Sequence, residues 1–411
     1  MATGDLERAN GVMRIVGGKI SKQIEQVPMF YNWVGRGQGT KIGDRGIEIP
    51  TYLVPNANHR WTTDGGDMPA GGSTLKKRAQ VFFKNYVHSC RLTGGAIDTI
   101  NSGDVAYVKN FLQDELRESV AEAYKRINWY AVTGTGNGRL ATISATATSA
   151  TQTVNNNDKN RALRDGMLVD SVNTSTGVLG IDGGTISTAE NTSTTFLLAA
   201  SATGTVDEVV VMHGSYNLAV TGLRAMNDDT TDSSSVFQGI SRVTYPQYKA
   251  FRVNASSVGL DVSYLRRVLG AGIHIKSGEL NRSALSLWSH PAQTAAYSAL
   301  GWSLKRSDMS NKTVDFGFTR YEYEGIDWNE DVDMLKDEVN ALDKSTFKKY
   351  TAKEAGWDEK TGSILRQVPS STSGIAYTDQ YEGYWTFRFN LGCERPNKNG
   401  WVDALSVPTG F

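Results

Sequence analysis

Three glycines at alternate positions, Gly134, Gly136 and Gly138, lie in the stretch NWYAVTGTGNGRL and have the composition of a phosphate-binding loop. In such a loop, backbone N–H groups and a helix N-terminus converge on the anion, so the glycines must precede a helix. Here a helical apolar period ends at the glycines, the stretch LATISATATSATQTV after them has no helical period, and no Lys-Ser/Thr pair follows. The glycines are therefore predicted to cap a helix C-terminus and form a turn, not a nucleotide site.

The other residues that could carry chemistry do not form a recognisable motif. The histidines are scattered and belong to no HExxH or Cys/His cluster, so surface or hydrogen-bonded roles are predicted for His59, His88, His213, His274 and His290. The sequence HGSYN around Ser215 lacks the final glycine of a nucleophile elbow. The acidic stretches NDDTTD (227–232) and DWNEDVD (327–333) do not have calcium-loop spacing and are predicted to be exposed turns. We therefore predict no catalytic, cofactor or metal site, and a protein that is not an enzyme.

The composition limits the possible partners. The chain has 411 residues, with 43 Lys+Arg balanced by 43 Asp+Glu, so it lacks the excess of basic groups needed for tight, sequence-independent binding of nucleic acid. Cys90 and Cys393 are far apart and are predicted to be separate thiols in a reducing cytoplasm. The N-terminal residues do not resemble a signal peptide, and no apolar run is long enough to span a bilayer, so we expect synthesis as a soluble, intracellular protein.

The first half of the chain is predicted to contain two extended appendages and one long helix. Residues 1–45 are Gly-rich, with one short helical candidate in SKQIEQVPMFYNW, and are predicted to be an arm that lies against another surface. GIEIPTYLV and TLKKRAQVFFKNYVHSCRL, joined by the loop DGGDMPAGGS (64–73), predict a long projecting hairpin. Residues from about 104 to 132 predict an amphipathic helix with ion pairs on its exposed side. Its apolar stripe comprises Val105, Val108, Leu112, Leu116, Val120, Tyr124, Ile127 and Tyr130, and the predicted pairs are Asp114–Arg117 and Glu122–Arg126.

The second half of the chain is predicted to be mostly β. GMLVDSV, GVLGIDGG and STTFLLAAS predict the short strands of a small antiparallel module at 160–206. A mixed region follows, with helices at DVSYLRRVLGAG and SHPAQTAAYSALG and a strand at ALSLWS; Pro291 suits the first turn of the second helix. In GYWTFRFNL, apolar residues alternate with polar ones, which predicts a half-buried strand. Its predicted inward residues are Trp385, Phe387, Phe389 and Leu391.

This order of elements resembles the major capsid proteins of tailed bacteriophages, which have the Hong Kong 97-type coat fold. The local resemblance lies in GDVAYVKNFLQDELRESVAEAYKRINWYAVTGTGNGRLATI and in HGSYNLAVTGLRAMNDD…FQGISR. It implies an α+β fold, divided into an N-terminal arm (1–45), an E-loop hairpin (46–93), a P-domain with a spine helix (94–159), a β-rich insertion (160–206), an A-domain (207–301) and remaining A- and P-domain strands with the C-terminus (302–411).

The resemblance also implies a function and partners. The chain is expected to assemble into hexamers and pentamers of an icosahedral virion shell that encloses double-stranded DNA without sequence-specific binding or membrane contact. A separate scaffolding protein, a portal and a possible decoration protein are the implied partners. Lysine–asparagine crosslinking occurs in some members, but no motif assigns Lys76, Lys77, Asn397 or Asn399 to it. An encapsulin-like cellular shell and a hydrolase without a visible motif are the alternatives.

The basic run Lys76, Lys77 and Arg78 follows the hairpin loop and is the candidate for an intersubunit contact. These cations are expected to meet acidic groups of a neighbouring subunit, such as those in DWNEDVD. The alternative is a solvated strand edge whose lysines discourage edge-to-edge aggregation.

Overall fold

The structure is a computed structural model that describes most of the chain. The described residues are 29–54, 56, 58–64, 66–68, 70–95, 120–155, 159–190, 193–227, 236–278, 280–305, 321–359, 363–370 and 377–408. The first part of the predicted long helix, residues 104–119, and most of the predicted arm lie outside them. Within the described part, no helix is long and apolar enough to cross a membrane.

A six-stranded mixed sheet forms one of the three apolar clusters of the described part of the chain. Its apolar side chains pack with those of two helical segments, Val262–Ser277, whose middle Arg267–His274 is π-helical, and Pro291–Lys305, which begins at Pro291 as predicted. Its strands, in spatial order, are Phe251–Asn254, Gly400–Asp403, Val339–Asp343, Leu285–Ser289, Ile326–Glu330 and Tyr321–Tyr323. The strand predicted at ALSLWS lies near the centre of this sheet. The strand Gly400–Asp403 lies between Phe251–Asn254 and Val339–Asp343. Because it comes from the last part of the chain, this core closes only when the whole second half has folded.

A five-stranded sheet is built around Tyr377–Cys393, which pairs with three other strands. In this strand the predicted inward residues Trp385, Phe387, Phe389 and Leu391 are all buried, which confirms the period of two; Asn390, predicted to face outward, is also buried. The other four strands are Gly35–Arg36, Phe347–Trp357, Leu365–Pro369 and Lys84–Thr93.

The helix at residues 120–133 packs against this sheet, with Tyr124 and Trp385 in ring contact at 5.3 Å. The predicted stripe residues Val120, Tyr124, Ile127 and Tyr130 are buried. The Glu122–Arg126 ion pair forms at 3.1 Å, but the Arg126 side chain is only 10% exposed, so the prediction of an exposed pair is wrong for its basic half. Arg126 is covered because it also donates to the carbonyl of Ala162 beside the barrel described next.

The predicted small β module is a closed six-stranded barrel. Its strands, in order around the barrel, are Thr195–Gly204, Ala147–Val154, Ala141–Ala145, Val209–Met212, Leu168–Val172 and Gly184–Ala189. It therefore extends beyond 160–206 at both ends, because Ala141–Ala145 and Val209–Met212 pair with each other and are needed to close it. GVLGIDGG forms no strand before Gly184; it contributes one isolated bridge and a turn.

The turn that leads from the helix into the barrel confirms the prediction for the glycines. The amide of Gly134 donates to the carbonyl of Tyr130 as the last helical bond, at 3.0 Å. Gly136 and Gly138 then have φ values of +93° and +86°, which only glycine adopts readily.

The end of the predicted arm is not a loose appendage. Residues Met29–Trp33 form a helix, and Phe30 packs among Trp33, Trp288 and Phe347 with ring centroids 5.3–6.0 Å apart. Phe30 is fully buried. The segment 29–34, in which Phe30, Tyr31 and Val34 are buried, therefore belongs to the subunit's own core.

The remaining described elements are short. A three-stranded sheet contains Thr40–Ile42, Gly46–Val54 and Leu75–Phe82, and a two-stranded ribbon pairs Val236–Phe237 with Ile240–Ser241. The short helices are Leu223–Asn227 and the 3₁₀ turns Pro246–Tyr248 and Pro396–Lys398.

Candidate intersubunit surface

The hairpin is formed by Gly46–Val54 and Leu75–Phe82, in antiparallel register. The predicted return strand is interrupted at Phe83, and its second half, Lys84–Thr93, pairs with Tyr377–Cys393. The predicted hairpin at 46–93 is thus corrected to 46–82, because Lys84–Thr93 gains a full ladder in the five-stranded sheet. The connection between the two hairpin strands is also longer than the predicted loop at 64–73.

Lys76, Lys77 and Arg78 are all exposed on the returning strand, but they do not form one patch. Adjacent residues of a strand point to opposite faces. Lys76 lies over the Tyr52 ring, with its Nζ atom 5.0 Å from the ring centroid, and Arg78 makes a 3.0 Å ion pair with Glu48. Lys77 is on the face of Ala79 and Val81, which are buried, and its Nζ atom lies 5.7 Å from the Tyr245 ring. The outward-facing pair is therefore Lys76 and Arg78.

The connection at the end of the hairpin exposes large apolar side chains. Trp61 is fully exposed and Met68 is 83% exposed. Side-chain amides join its two sides: Asn56 donates to the carbonyl of Gly72 at 3.1 Å, and Asn58 donates to that of Ala70 at 3.0 Å. These bonds hold the two sides together, while Trp61 and Met68 remain without a covering surface in the described part of the chain.

The acidic stretch DWNEDVD is not an exposed turn, so this prediction is wrong. Asp331 is buried and accepts hydrogen bonds from the amide of Phe30 at 3.0 Å and from the Asn128 side chain at 3.0 and 3.2 Å. Asn128 also donates to Asp333 at 2.7 Å and accepts from the amide of Tyr31 at 3.0 Å. The stretch fastens the helix Met29–Trp33 to the helix at 120–133. Asp331 is therefore satisfied inside its own subunit and is a poor partner for the hairpin cations.

The residues considered for crosslinking differ in accessibility. Asn399 is fully buried, where its side chain accepts from the amide of Asp343 at 2.7 Å and donates to Thr346 at 3.2 Å. Asn397 is partly exposed. Asn399 is thus a structural amide that a neighbouring lysine does not reach.

The structure also forms a carboxylate–histidine group that sequence reasoning missed. The His213 Nδ1 atom lies 2.7 Å from an Asp170 oxygen and 3.9 Å from one of Asp182. Together with Asp182, these side chains lie close enough to one another to hold a metal ion, and in the described part of the chain no other group of three or more His, Cys, Asp or Glu side chains does so. The residues are 12 to 43 positions apart and meet only when the barrel closes, so no spacing motif revealed them.

The hydrogen bonds and pKa shifts of this group indicate that Asp170 joins two turns of the barrel. The amides of Gly183 and Gly214 each donate to Asp170 at 2.8 Å. Burial alone would raise the pKa of Asp170, but these bonds and the one with His213 lower it below the ordinary value. The hydrogen bond with Asp170 in turn raises the pKa of His213. The bonds tie two barrel turns together, and the contacts of the described residues include none between the Ser215 hydroxyl and His213.

The remaining sequence predictions for polar side chains agree with the structure. His59 and His274 are exposed, and His290 is buried and hydrogen-bonded. Both cysteines are free and buried, as predicted.

No family model and no curated protein matches the sequence. Among solved structures, the chain is similar to one in the capsid asymmetric unit of cyanophage A-1(L), with 12% identity, a TM-score of 0.58, and coverage of 92% of this chain and 93% of that one. It also matches the capsid of a native GTA particle (8% identity, TM-score 0.46, coverage 91% and 89%) and the capsid of cyanophage P-SCSP1u (8% identity, TM-score 0.43, coverage 93% and 89%).

The likeness to the cyanophage A-1(L) chain extends over nearly the full length of both chains. The protein therefore has an α+β fold that is found in a phage capsid, and the resemblance predicted from the order of elements is confirmed at the level of the fold.

Proposed function

We propose that this chain is a major capsid protein of a tailed phage, which assembles into hexamers and pentamers of an icosahedral shell around double-stranded DNA. The observation that carries the proposal is the fold shared over 92% of the chain with a chain of the cyanophage A-1(L) capsid.

The elements match the Hong Kong 97-type plan in this proposal. The hairpin at 46–82 is the E-loop, and the helix at 120–133 with the five-stranded sheet forms the P-domain. The six-stranded sheet with Val262–Ser277 and Pro291–Lys305 is the A-domain. The closed barrel at 141–212 is an insertion between the spine helix and the A-domain.

The hairpin supplies the physical argument for self-assembly. A fully exposed Trp61 gains little within its own subunit, whereas burying such a side chain against a neighbour contributes roughly 1.5–3 kcal/mol. One such contact is weak, but it recurs around every subunit, and closure of the shell makes the later contacts effectively intramolecular. The outward-facing cation Lys76 on the same hairpin would add an electrostatic contribution to the orientation of this contact.

The neutral charge balance suits a shell that encloses DNA without binding a particular sequence. With 43 acidic and 43 basic side chains, the chain has no overall excess charge to hold a polyanion in place. A separate scaffolding protein, a portal and possible decoration proteins are the partners that this role requires. The mature location is the virion, after synthesis in the host cytoplasm.

The proposal is tested by assembly of hairpin variants, measured by sedimentation and negative-stain electron microscopy after co-expression with the neighbouring genes. Trp61→Ser, and separately Lys76→Glu, are expected to leave the melting temperature of the isolated subunit nearly unchanged while abolishing particles or making them fall apart in moderate salt. Lys41→Glu, on the exposed outer strand of the same sheet, is the control and should assemble normally. Intact, salt-resistant shells from both hairpin variants would exclude the hairpin contact.

A further inference from the structure

Two carboxylates and one imidazole meet at one end of the barrel, where the strand Gly184–Ala189 begins and the strand Val209–Met212 ends. Asp170 lies in the strand between these two, Asp182 precedes the first, and His213 follows the second. One donor atom of each side chain lies within 4.8 Å of the donor atoms of the other two. The closed barrel therefore presents three potential metal ligands around a single point.

The spacing of the donor atoms suits a small metal ion. Zinc lies about 2.0–2.2 Å from its nitrogen and oxygen ligands, so two ligand atoms of a tetrahedral site are about 3.3 Å apart. The His213 Nδ1 atom is 2.7 Å from an Asp170 oxygen and 3.9 Å from an Asp182 oxygen, which places the required spacing between the two observed ones. The His213 and Asp182 side chains are 52% and 72% exposed, so both can rotate by the small distance needed.

The charge of the group favours a cation. In the described part of the chain, His213 is the basic side chain within ion-pair distance of Asp170 and of Asp182, and no lysine or arginine is that close to either. Two carboxylates thus share one imidazole, and the group stays net negative whether that imidazole is protonated or neutral. A divalent cation at this point would compensate both carboxylates.

The surroundings of Asp170 provide the support that a metal ligand needs. Asp170 is 4% exposed, and the amides of Gly183 and Gly214 each donate to it at 2.8 Å. Such hydrogen bonds orient a ligating carboxylate before the metal arrives. Because Asp182 and His213 are exposed, an ion can enter from solvent and reach this fixed ligand.

We propose that Asp170, Asp182 and His213 form a binding site for a divalent ion of the zinc class. An imidazole ligand suits zinc, nickel or copper, whereas calcium and magnesium prefer a shell of oxygen atoms. The ion would take the place of the hydrogen between His213 Nδ1 and Asp170, and water would fill the remaining coordination position. It would connect the turn before Gly184–Ala189 to the end of Val209–Met212. The site is independent of the hairpin and of the proposed capsid function.

The test is isothermal titration calorimetry of the chelator-treated, unassembled subunit with zinc chloride, and separately with calcium and magnesium chloride. Zinc should bind saturably, and Asp182→Asn and His213→Gln should each weaken its affinity roughly tenfold or more. Asp182→Asn leaves the amide bonds to Asp170 intact, so it should fold normally without metal. His274→Gln removes an exposed imidazole elsewhere and is the control for adventitious zinc binding.

Thermal unfolding gives a second readout. Zinc should raise the melting temperature of the wild-type protein and of His274→Gln in a saturable way, and should raise that of Asp182→Asn and His213→Gln much less. Equal zinc affinity in the wild type and both site variants, or no saturable binding by the wild type, would overturn the proposal. Binding of calcium or magnesium in preference to zinc would also overturn it, in favour of a site for hard cations.

Discussion

Replacing Asp333 by Asn should stabilise the subunit at neutral pH, although it removes a carboxylate that accepts a hydrogen bond. Asp333 is partly buried and lies next to Asp331, and these two causes raise its pKa to about 6 from 3.8. The Asn128 side chain donates to it at 2.7 Å, and an amide oxygen at position 333 can accept the same bond. Asp333→Asn therefore keeps the shape and the hydrogen bond but removes the buried charge.

The magnitude follows from linkage between protonation and folding. Because the folded pKa exceeds the unfolded one, the folded state binds more protons between about pH 4 and pH 6, and its stability falls as the pH rises through that window. A difference of about two units corresponds to roughly 3 kcal/mol above pH 6. That difference already includes the attraction of Arg161 and Lys125, and the group is partly solvated, so we expect a net gain of about 1–2 kcal/mol at pH 7.5 and no gain at pH 4.

Urea unfolding of the unassembled subunit at pH 4, 5, 6 and 7.5 measures this effect. The wild-type protein should lose stability between pH 4 and pH 6 relative to the variant, and the two curves should converge at low pH. Asp44→Asn, in an exposed turn, is the control and should follow the wild type. If Asp333→Asn has a lower free energy of unfolding than the wild type at pH 7.5 and the difference persists at pH 4, the charge of Asp333 does not destabilise the folded subunit.

Three further outcomes are expected. Ile127→Asp places a charge in the core and should lower the free energy of unfolding in urea by about 3–5 kcal/mol. Lys125→Gln, at an exposed position of the same helix, should change it by less than about 0.5 kcal/mol. Equal effects of the two changes would mean that the buried face of the helix is misassigned. Gly222→Ala should cost about 2–4 kcal/mol in the same assay, because its Cβ would lie 2.4 Å from backbone carbonyl oxygens of the helix at 120–133, and a neutral result would show that this close approach is absent. NMR titration should give His213 a pKa above 6.5 that falls in Asp170→Asn, and an unchanged value in the variant would remove Asp170 as its cause.

Local patterns predicted the elements whose burial is set by nearby residues. The period of two in Tyr377–Cys393 and the apolar stripe of the helix at 120–133 are visible in sequence because one face of each element packs on a continuous surface. The glycine turn at 134–138 was predictable because only glycine suits its positive φ angles.

Contacts between distant segments could not be predicted in this way. The burial of Asp331 depends on the amide of Phe30, 301 residues away, and nothing near Asp331 signals that partner. The return strand changes sheets at Phe83 because Tyr377–Cys393 offers a longer ladder, which is also a long-range effect. The Asp170–His213 pair likewise forms only when separate segments meet.

Electron cryo-microscopy of the protein co-expressed with its neighbouring genes tests the central proposal most directly. We expect closed icosahedral particles with hexameric and pentameric capsomers, in which the hairpin at 46–82 lies over an adjacent subunit and Trp61 is buried in that contact. A protein that remains monomeric under all these conditions, or particles in which the hairpin contacts only its own subunit, would contradict the account.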